Sequence, residues 1–209
     1  MLKRILLSLS PLLLAGCSLV GERSGYEEPP YAVVERVDEA VEVREYGPRL
    51  VADVAMPAVG GKDGGNSAFR VLFAYITGEN RAKGKVAMTV PVETSGQGET
   101  ISMTVPVEQA GDATRMRFFF PSAYTLETAP VPLNQRITIS EVAGQTLIVR
   151  RYSGFNGHAA KGRETAALDE ALAKSAWVSA GPPVFLSYDP PWTLPPFRRH
   201  EVAREVVRR

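Results

Sequence analysis

The sequence predicts an α+β fold: a distorted antiparallel β-barrel built from two strand-strand-helix-strand-strand halves, with two helices packed on it. Three observations predict it. From residue 31 the chain is a succession of short segments alternating apolar and polar residues, broken by Gly, Pro and acidic turns. Two segments read as helices, and each is followed by further strands. The phrase Met-Thr-Val-Pro-Val-Glu is written twice, at 88–93 and 103–108, with only a turn-like stretch between.

The elements follow in order. Tyr31–Val37 and Val41–Tyr46 alternate on either side of Asp38-Glu39, and Arg49–Ala55 resumes after Gly47-Pro48. The run Gly-Gly-Lys-Asp-Gly-Gly-Asn-Ser, 60–67, is a loop. It lacks the Gly-Lys-Ser/Thr ending that seats phosphate and metal. Asn66 or Ser67 can cap a helix ending near Ile76 or Thr77, before Gly78. Phe69, Leu72, Phe73 and Ile76 fall at i, i+3, i+4 and i+7, one apolar stripe rich in aromatics.

The doubled phrase reads as a hairpin. Val86, Met88, Val90 and Val92 share one strand face, and so do Ile101, Met103, Val105 and Val107. Thr-Ser-Gly-Gln-Gly-Glu-Thr, 94–100, supplies the turn. Pro91 and Pro106 lack an N–H to give a ladder, which places each at an edge, a bulge or a strand end. Met116–Phe120 is a third strand. Arg136–Val142 and Gln145–Tyr152 are joined at Ala143-Gly144. An Ala-rich, weakly amphipathic helix over His158–Ser175 follows, and Val184–Tyr188 and Glu201–Val207 close the chain. Trp192, in Asp-Pro-Pro-Trp, is expected to cover the end of the barrel, the other reading being that it stacks on a flat ligand.

The leader predicts location. Lys3 and Arg4 precede the apolar run Ile5–Leu14, too short to span a bilayer and typical of a signal peptide. Leu14-Ala15-Gly16-Cys17 resembles a bacterial lipobox, which implies cleavage before Cys17 and acylation of its thiol and new amine. Residues 1–16 are then removed, 17–30 form the lipidated Cys17 and a tether, and 31–209 form a single domain. Ser18 is not the Asp that often retains lipoproteins at the inner membrane. The expected location is the outer membrane, facing the periplasm, with acyl chains on Cys17 as the membrane partner. Cys17 is the chain's single cysteine, so no disulfide is expected within it.

Composition excludes some functions. The 209 residues carry 24 Lys and Arg against 23 Asp and Glu, a formal charge of +1. That balance gives no nucleic-acid footprint. The pairs Arg150-Arg151, Arg198-Arg199 and Arg208-Arg209 are scattered and read as solvated strand ends. No Gly-x-Ser-x-Gly elbow, His-x-x-x-His or Cys-x-x-Cys occurs, and the chain has two histidines. An enzyme is not expected.

The stretches AFRVLFAYITGENRAKGKVAMTVPVE, the second MTVPVE, MRFFFPSAYTLETAP and YDPPWTLPPFRRHEV together resemble the SOUL haem-binding protein family over about Tyr31 to Val207. The resemblance implies the same distorted barrel with two helices. It also implies haem or another hydrophobic tetrapyrrole as ligand, held without catalysis in an apolar groove along the first helix. Phe69, Leu72, Phe73 and Ile76 fall on that helix, with Arg70 beside them to pair with a propionate. Met88 and Met103 are candidate groove residues. As thioethers they can in principle ligate iron, as flexible core residues they fill space. His158 and Met88 are the candidate metal ligands. His200 stands in Arg-Arg-His-Glu, where the family more often has Asn, and is a departure. Two other readings stay open: a structural or partner-binding envelope lipoprotein with a filled barrel, and an effector-sensing module. A binder should leave an open apolar groove near Phe69 and Phe73, whereas a structural protein should bury both rings.

Overall fold

A computed structural model of the chain describes residues 21, 23, 25–56, 63–83, 98–112 and 114–209, residues 63 and 64 by backbone alone. The leader, Cys17, the first copy of the doubled phrase and Met88 lie outside the described residues.

Twelve strands and two helices are described. The strands are β1 (Tyr31–Arg36), β2 (Val41–Tyr46), β3 (Arg49–Ala55), β4 (Asn80–Arg81), β5 (Val107–Ala110), β6 (Arg115–Phe119), β7 (Val131–Pro132), β8 (Ile137–Val142), β9 (Gln145–Tyr152), β10 (Trp177–Ser179), β11 (Val184–Ser187) and β12 (His200–Arg208). The helices are α1 (Asp63–Ile76) and α2 (His158–Ala173). One sheet runs β1-β2-β9-β12-β11-β5-β6-β3-β8, with β10 on the far stretch of β12, and β4 pairs with β7. Every pairing between these strands is antiparallel.

The two halves are visible in this order. Exchanging β2-β3-α1-β5-β6 for β8-β9-α2-β11-β12 turns the path from β2 to β8 into itself, read from the other end. Its centre is the β5–β11 pair, Val107 opposite Ser187 and Ala110 opposite Val184.

Closure comes from one ladder. Tyr46 lies opposite Gln145 at the end of β2, and Arg49 opposite Val142 at the start of β3. Two residues on one side thus match two on the other. β2 and β3 form one bent strand running against β9 and β8 in a single register. The bend is Gly47-Pro48 against Ala143-Gly144. A Cβ built on Gly144 would lie 3.0 Å from the Tyr46 carbonyl oxygen, tighter than ordinary contact, so the close crossing favours glycine there. Because β2 and β3 sit near opposite ends of the sheet order, the bent ladder curls the sheet into a distorted barrel.

Strand alternation divides the residues between two faces. The outer face carries both helices. α1 buries Ala68, Leu72, Tyr75 and Ile76 against Leu50, Ala52 and Val54 of β3 and Met116 and Phe118 of β6. α2 buries Leu168, Ala171 and Leu172 against Val41, Val43, Ile148, Val202 and Val206. The inner face carries Tyr46, Leu147, Val149, Leu186, Tyr188 and Ala203, together with charged side chains.

Several elements differ from the sequence reading. α1 begins at Asp63, inside the glycine-rich run. First-turn N–H groups have no partner within a helix in any case, so that run can open one. The second copy of the doubled phrase is not a strand until Val107. Pro106 has no N–H to give, and the preceding residues take single contacts instead. The Ile101 N–H donates to the Ile76 carbonyl at 2.8 Å, the Val105 N–H to that of Glu27 at 3.0 Å. Ile101 and Met103 therefore join the α1 cluster while Val105 joins the inner face, so the expected common face is split. Strands β4, β7 and β10, of two or three residues each, are too short to show periodicity.

Candidate functional site

The helix α1 sets the candidate site. Its burial centres on Ala68 (0% exposed), Leu72 (0%) and Tyr75 (1%). The Tyr75 hydroxyl donates to the Pro130 carbonyl at 2.8 Å, fixing the helix on the sheet. At about 100° per residue, Phe69 and Phe73 fall on the edge of the buried stripe. Phe69 is half-buried and meets the edge of Phe118 at 5.5 Å between ring centres. Phe73 is 44% exposed and stacks on Phe69 at 5.9 Å and 13°. The predicted stripe is thus two things. Leu72 and Ile76 are core, and Phe69 and Phe73 form an aromatic shelf open to solvent.

Arg70 lies on the solvent side of that shelf. Its Nε donates to the Asn66 carbonyl at 3.3 Å, and no carboxylate pairs with it among the described residues. Arg136 reaches the same helix, its Nη1 donating to the Ser67 hydroxyl at 3.3 Å, again a neutral partner. Met103 is half-buried against the α1 cluster. These residues fit a flat apolar ligand with carboxylates at its rim: two rings to stack on and two cations whose charge is not spent.

His158, the other candidate ligand, is the exposed first residue of α2 and packs with neither the shelf nor Met103. His200 is buried on β12 beside Tyr152, ring centres 5.5 Å apart. Burial pushes its pKa below the ordinary value, so it stays neutral near pH 7. No group of three or more metal-ligating His, Cys, Asp or Glu occurs among the described residues.

The sequence reading missed the barrel interior. Glu201 is fully buried, and both its oxygens are satisfied. Oε2 accepts from Arg44 Nη1 at 3.0 Å and from the Tyr188 hydroxyl at 2.6 Å, and Oε1 from Arg199 Nε and Nη2 at 3.1 and 2.9 Å. Arg199 lies 3.8 Å over the Tyr188 ring and also bonds Glu28. Burial alone would raise the Glu201 carboxyl, but Arg44 and Arg199 outweigh it and hold the pKa below its usual value. Burial pushes the Tyr188 hydroxyl well up, so it stays a donor. A second group follows, Arg117 paired with Asp53 at 2.7 Å and with Glu108 at 3.4 Å. Arg199 is therefore not the solvated strand end expected. The one trace in the sequence is charge at every second residue, Glu42 and Arg44, Arg115 and Arg117, and Arg199 and Glu201, which puts each pair on one strand face without saying whether that face is inside.

The N-terminal segment straps across this interior. Arg23 Nη2 bonds Asp189 at 2.6 Å, Glu27 bridges Thr104, and its carboxylate accepts from the Ser122 N–H at 2.7 Å. Tyr31 packs on Tyr46 at 5.2 Å. Glu28, Tyr31, Tyr46, Arg49 and Tyr188 line what remains, a cleft of about 10 Å³. Small-molecule sites run to several hundred Å³, so the interior is filled and the shelf on α1 is the better place for a ligand.

Comparison with known proteins agrees with this architecture. No curated protein sequence matches the chain. Among solved structures, an uncharacterized conserved protein from Listeria innocua superposes with a TM-score of 0.51 at 10% identity, over 81% of this chain and 93% of its own. The chain of EcmrR in an EcmrR–DNA complex gives 0.51 at 11% identity, over 98% of this chain and 65% of its own. A hydrolase from Listeria innocua gives 0.48 at 10% identity, over 81% of this chain and 93% of its own. At such identities the two likenesses at 0.51 concern the fold alone. The sequence itself matches the family described as SOUL heme-binding protein over residues 26–205, nearly all of the described chain, and the protein belongs to the SOUL family.

Proposed function

We propose that this is a lipid-anchored envelope protein that holds haem or another hydrophobic tetrapyrrole on the outer face of α1, without catalysis. The observation that carries the reading is the stacked pair Phe69–Phe73, with Phe73 44% exposed beside unpaired Arg70. Aromatic area supplies the binding energy, and Arg70 and Arg136 hold carboxylates at the rim. The family match supports the ligand class. The lipobox at Cys17 and Ser18 after it support acylation and an outer-membrane, periplasm-facing location. Among the described residues no histidine adjoins the shelf, so in this reading binding rests on the porphyrin plane and its carboxylates more than on iron.

The test is a titration with haemin and with iron-free protoporphyrin, followed at the Soret band. Saturable one-to-one binding of both, lost in Phe73→Asp with the far-UV spectrum intact, is the expected result. Non-saturating binding that Phe73→Asp leaves unchanged overturns the site. The alternative, an envelope lipoprotein with no small-molecule ligand, draws on the filled interior and would then take its place.

A further inference from the structure

One end of the barrel presents large apolar side chains to solvent. Phe155 is 74% exposed, Trp192 62%, Leu194 48% and Phe197 49%. They belong to two segments that are tied together. The Gly154 N–H donates to the Pro195 carbonyl at 2.9 Å, and Arg198 donates to the carbonyls of Thr193 and Pro191 at 2.7 and 2.6 Å. The expectation that Trp192 seals the barrel end fails for a ring so exposed. Between the segments lies an open cleft of about 430 Å³ lined by Arg23, Arg151, Tyr152, Ser153, Pro196, Phe197 and Arg198, with no carboxylate among them. Among the described residues Arg198 bonds only carbonyls and Arg151 forms no ion pair, so neither charge is compensated there.

The chain enters the fold at this same place. Arg23 is pinned to Asp189 at 2.6 Å and to the Phe197 carbonyl at 2.9 Å. Gly21, at φ +77°, lies so close that an added Cβ would stand 2.7 Å from the Phe197 oxygen. Cys17 is four residues earlier. Four residues span at most about 14 Å. The polar layer of a bilayer leaflet is itself roughly 5–7 Å deep. An acylated Cys17 thus leaves almost no slack, and this end of the barrel must lie on the membrane.

We propose that this end is a membrane-docking surface for an anionic phospholipid leaflet. Phe155, Trp192, Leu194 and Phe197 enter the interfacial layer, where aromatic rings are favoured, and Arg151 and Arg198 face the headgroups. The proposal rests on the anchor at Cys17 and adds to it a fixed orientation.

The experiment uses the full chain matured in a bacterial envelope, purified and reconstituted into phosphatidylcholine–phosphatidylglycerol vesicles with brominated acyl chains. The chain has two tryptophans, Trp177 and Trp192. Trp177 is half-buried and donates to Glu35 at 2.9 Å, which makes it an internal reference. Trp177→Phe should lose most of its remaining emission in brominated vesicles, and Trp192→Phe should lose little. Should Trp177→Phe fail to fold, the native chain compared with Trp192→Phe carries the same information. Mass spectrometry of the peptide holding Cys17 separates the two readings. Acylated chain with unquenched Trp192 overturns docking and leaves the anchor standing. Unmodified Cys17 overturns the anchor and the docking with it. Shielding of Trp192 without vesicles, rising with protein concentration, assigns the face to a second copy and overturns the lipid surface.

Discussion

Arg44 on β2 donates to Glu201 on β12 at 3.0 Å across 157 residues of chain, between strands that do not pair. β9 lies between them, and the contact passes over its inner face. Removing Glu201 leaves Arg44 and Arg199 inside without the carboxylate they share, with only Glu42 and Glu28 as partners nearer the solvent. Glu201→Ala should therefore cost about 3–5 kcal/mol in urea unfolding, and Glu201→Gln less. A loss under about 1 kcal/mol, the range of an exposed pair, would mean that water enters the interior.

Two neighbours on α1 should behave in opposite ways. Leu72 is fully buried, and Leu72→Ala should cost about 2–5 kcal/mol. Phe73 is 44% exposed, and Phe73→Ser should cost about 1 kcal/mol or less while abolishing porphyrin binding. Equal losses in a denaturant series would place both side chains in the core and remove the shelf.

Arg70 should act on carboxylates alone. Arg70→Glu should weaken protoporphyrin about tenfold and leave its dimethyl ester unchanged. If both ligands weaken together in fluorescence titrations, Arg70 shapes the helix surface and does not hold a propionate.

His200 should make the fold acid-sensitive. Burial lowers its pKa, against the pull of the Gly154 backbone, which raises it, with Arg198 lowering it further. Below its ordinary 6.5 the unfolded chain binds a proton that the folded chain refuses. Stability is therefore flat above pH 6.5 and falls as pH drops toward the folded value, by at most about 1.4 kcal/mol per pH unit. His200→Asn should flatten that slope whatever it does to stability near neutrality. A slope unchanged in urea midpoints between pH 6.5 and 5.5 would assign the acid response elsewhere.

Much of the fold was legible in the sequence because its signals are local. Val41–Tyr46, Arg49–Ala55 and Gln145–Tyr152 form strands over the expected bounds, because short β-rich runs between turn residues report a strand without knowledge of its partner. The second Met-Thr-Val-Pro-Val-Glu misled for the same reason. Its alternation was real, yet Pro106 broke the ladder, and the residues before it were claimed by Ile76 and Glu27. On α1 the spacing gathered Phe69, Leu72, Phe73 and Ile76 but could not say where burial was centred. That depends on Tyr75 reaching Pro130, a contact across 55 residues. The Arg44–Glu201 pair lay beyond reach because nothing local tells whether an alternating charge faces water or a closed interior.

The bent ladder bears on how this chain can change length. Short links such as Gly47-Pro48 and Ala143-Gly144 are ordinarily where insertions are absorbed at the surface. Here both lie within one continuous register, Tyr46 with Gln145 and Arg49 with Val142. One residue added on a single side would turn every following side chain of β3 to the opposite face, exposing Leu50, Ala52 and Val54 to the charged interior. Length at this corner can drift only in matched pairs, so two sites nearly a hundred residues apart are bound to evolve as one.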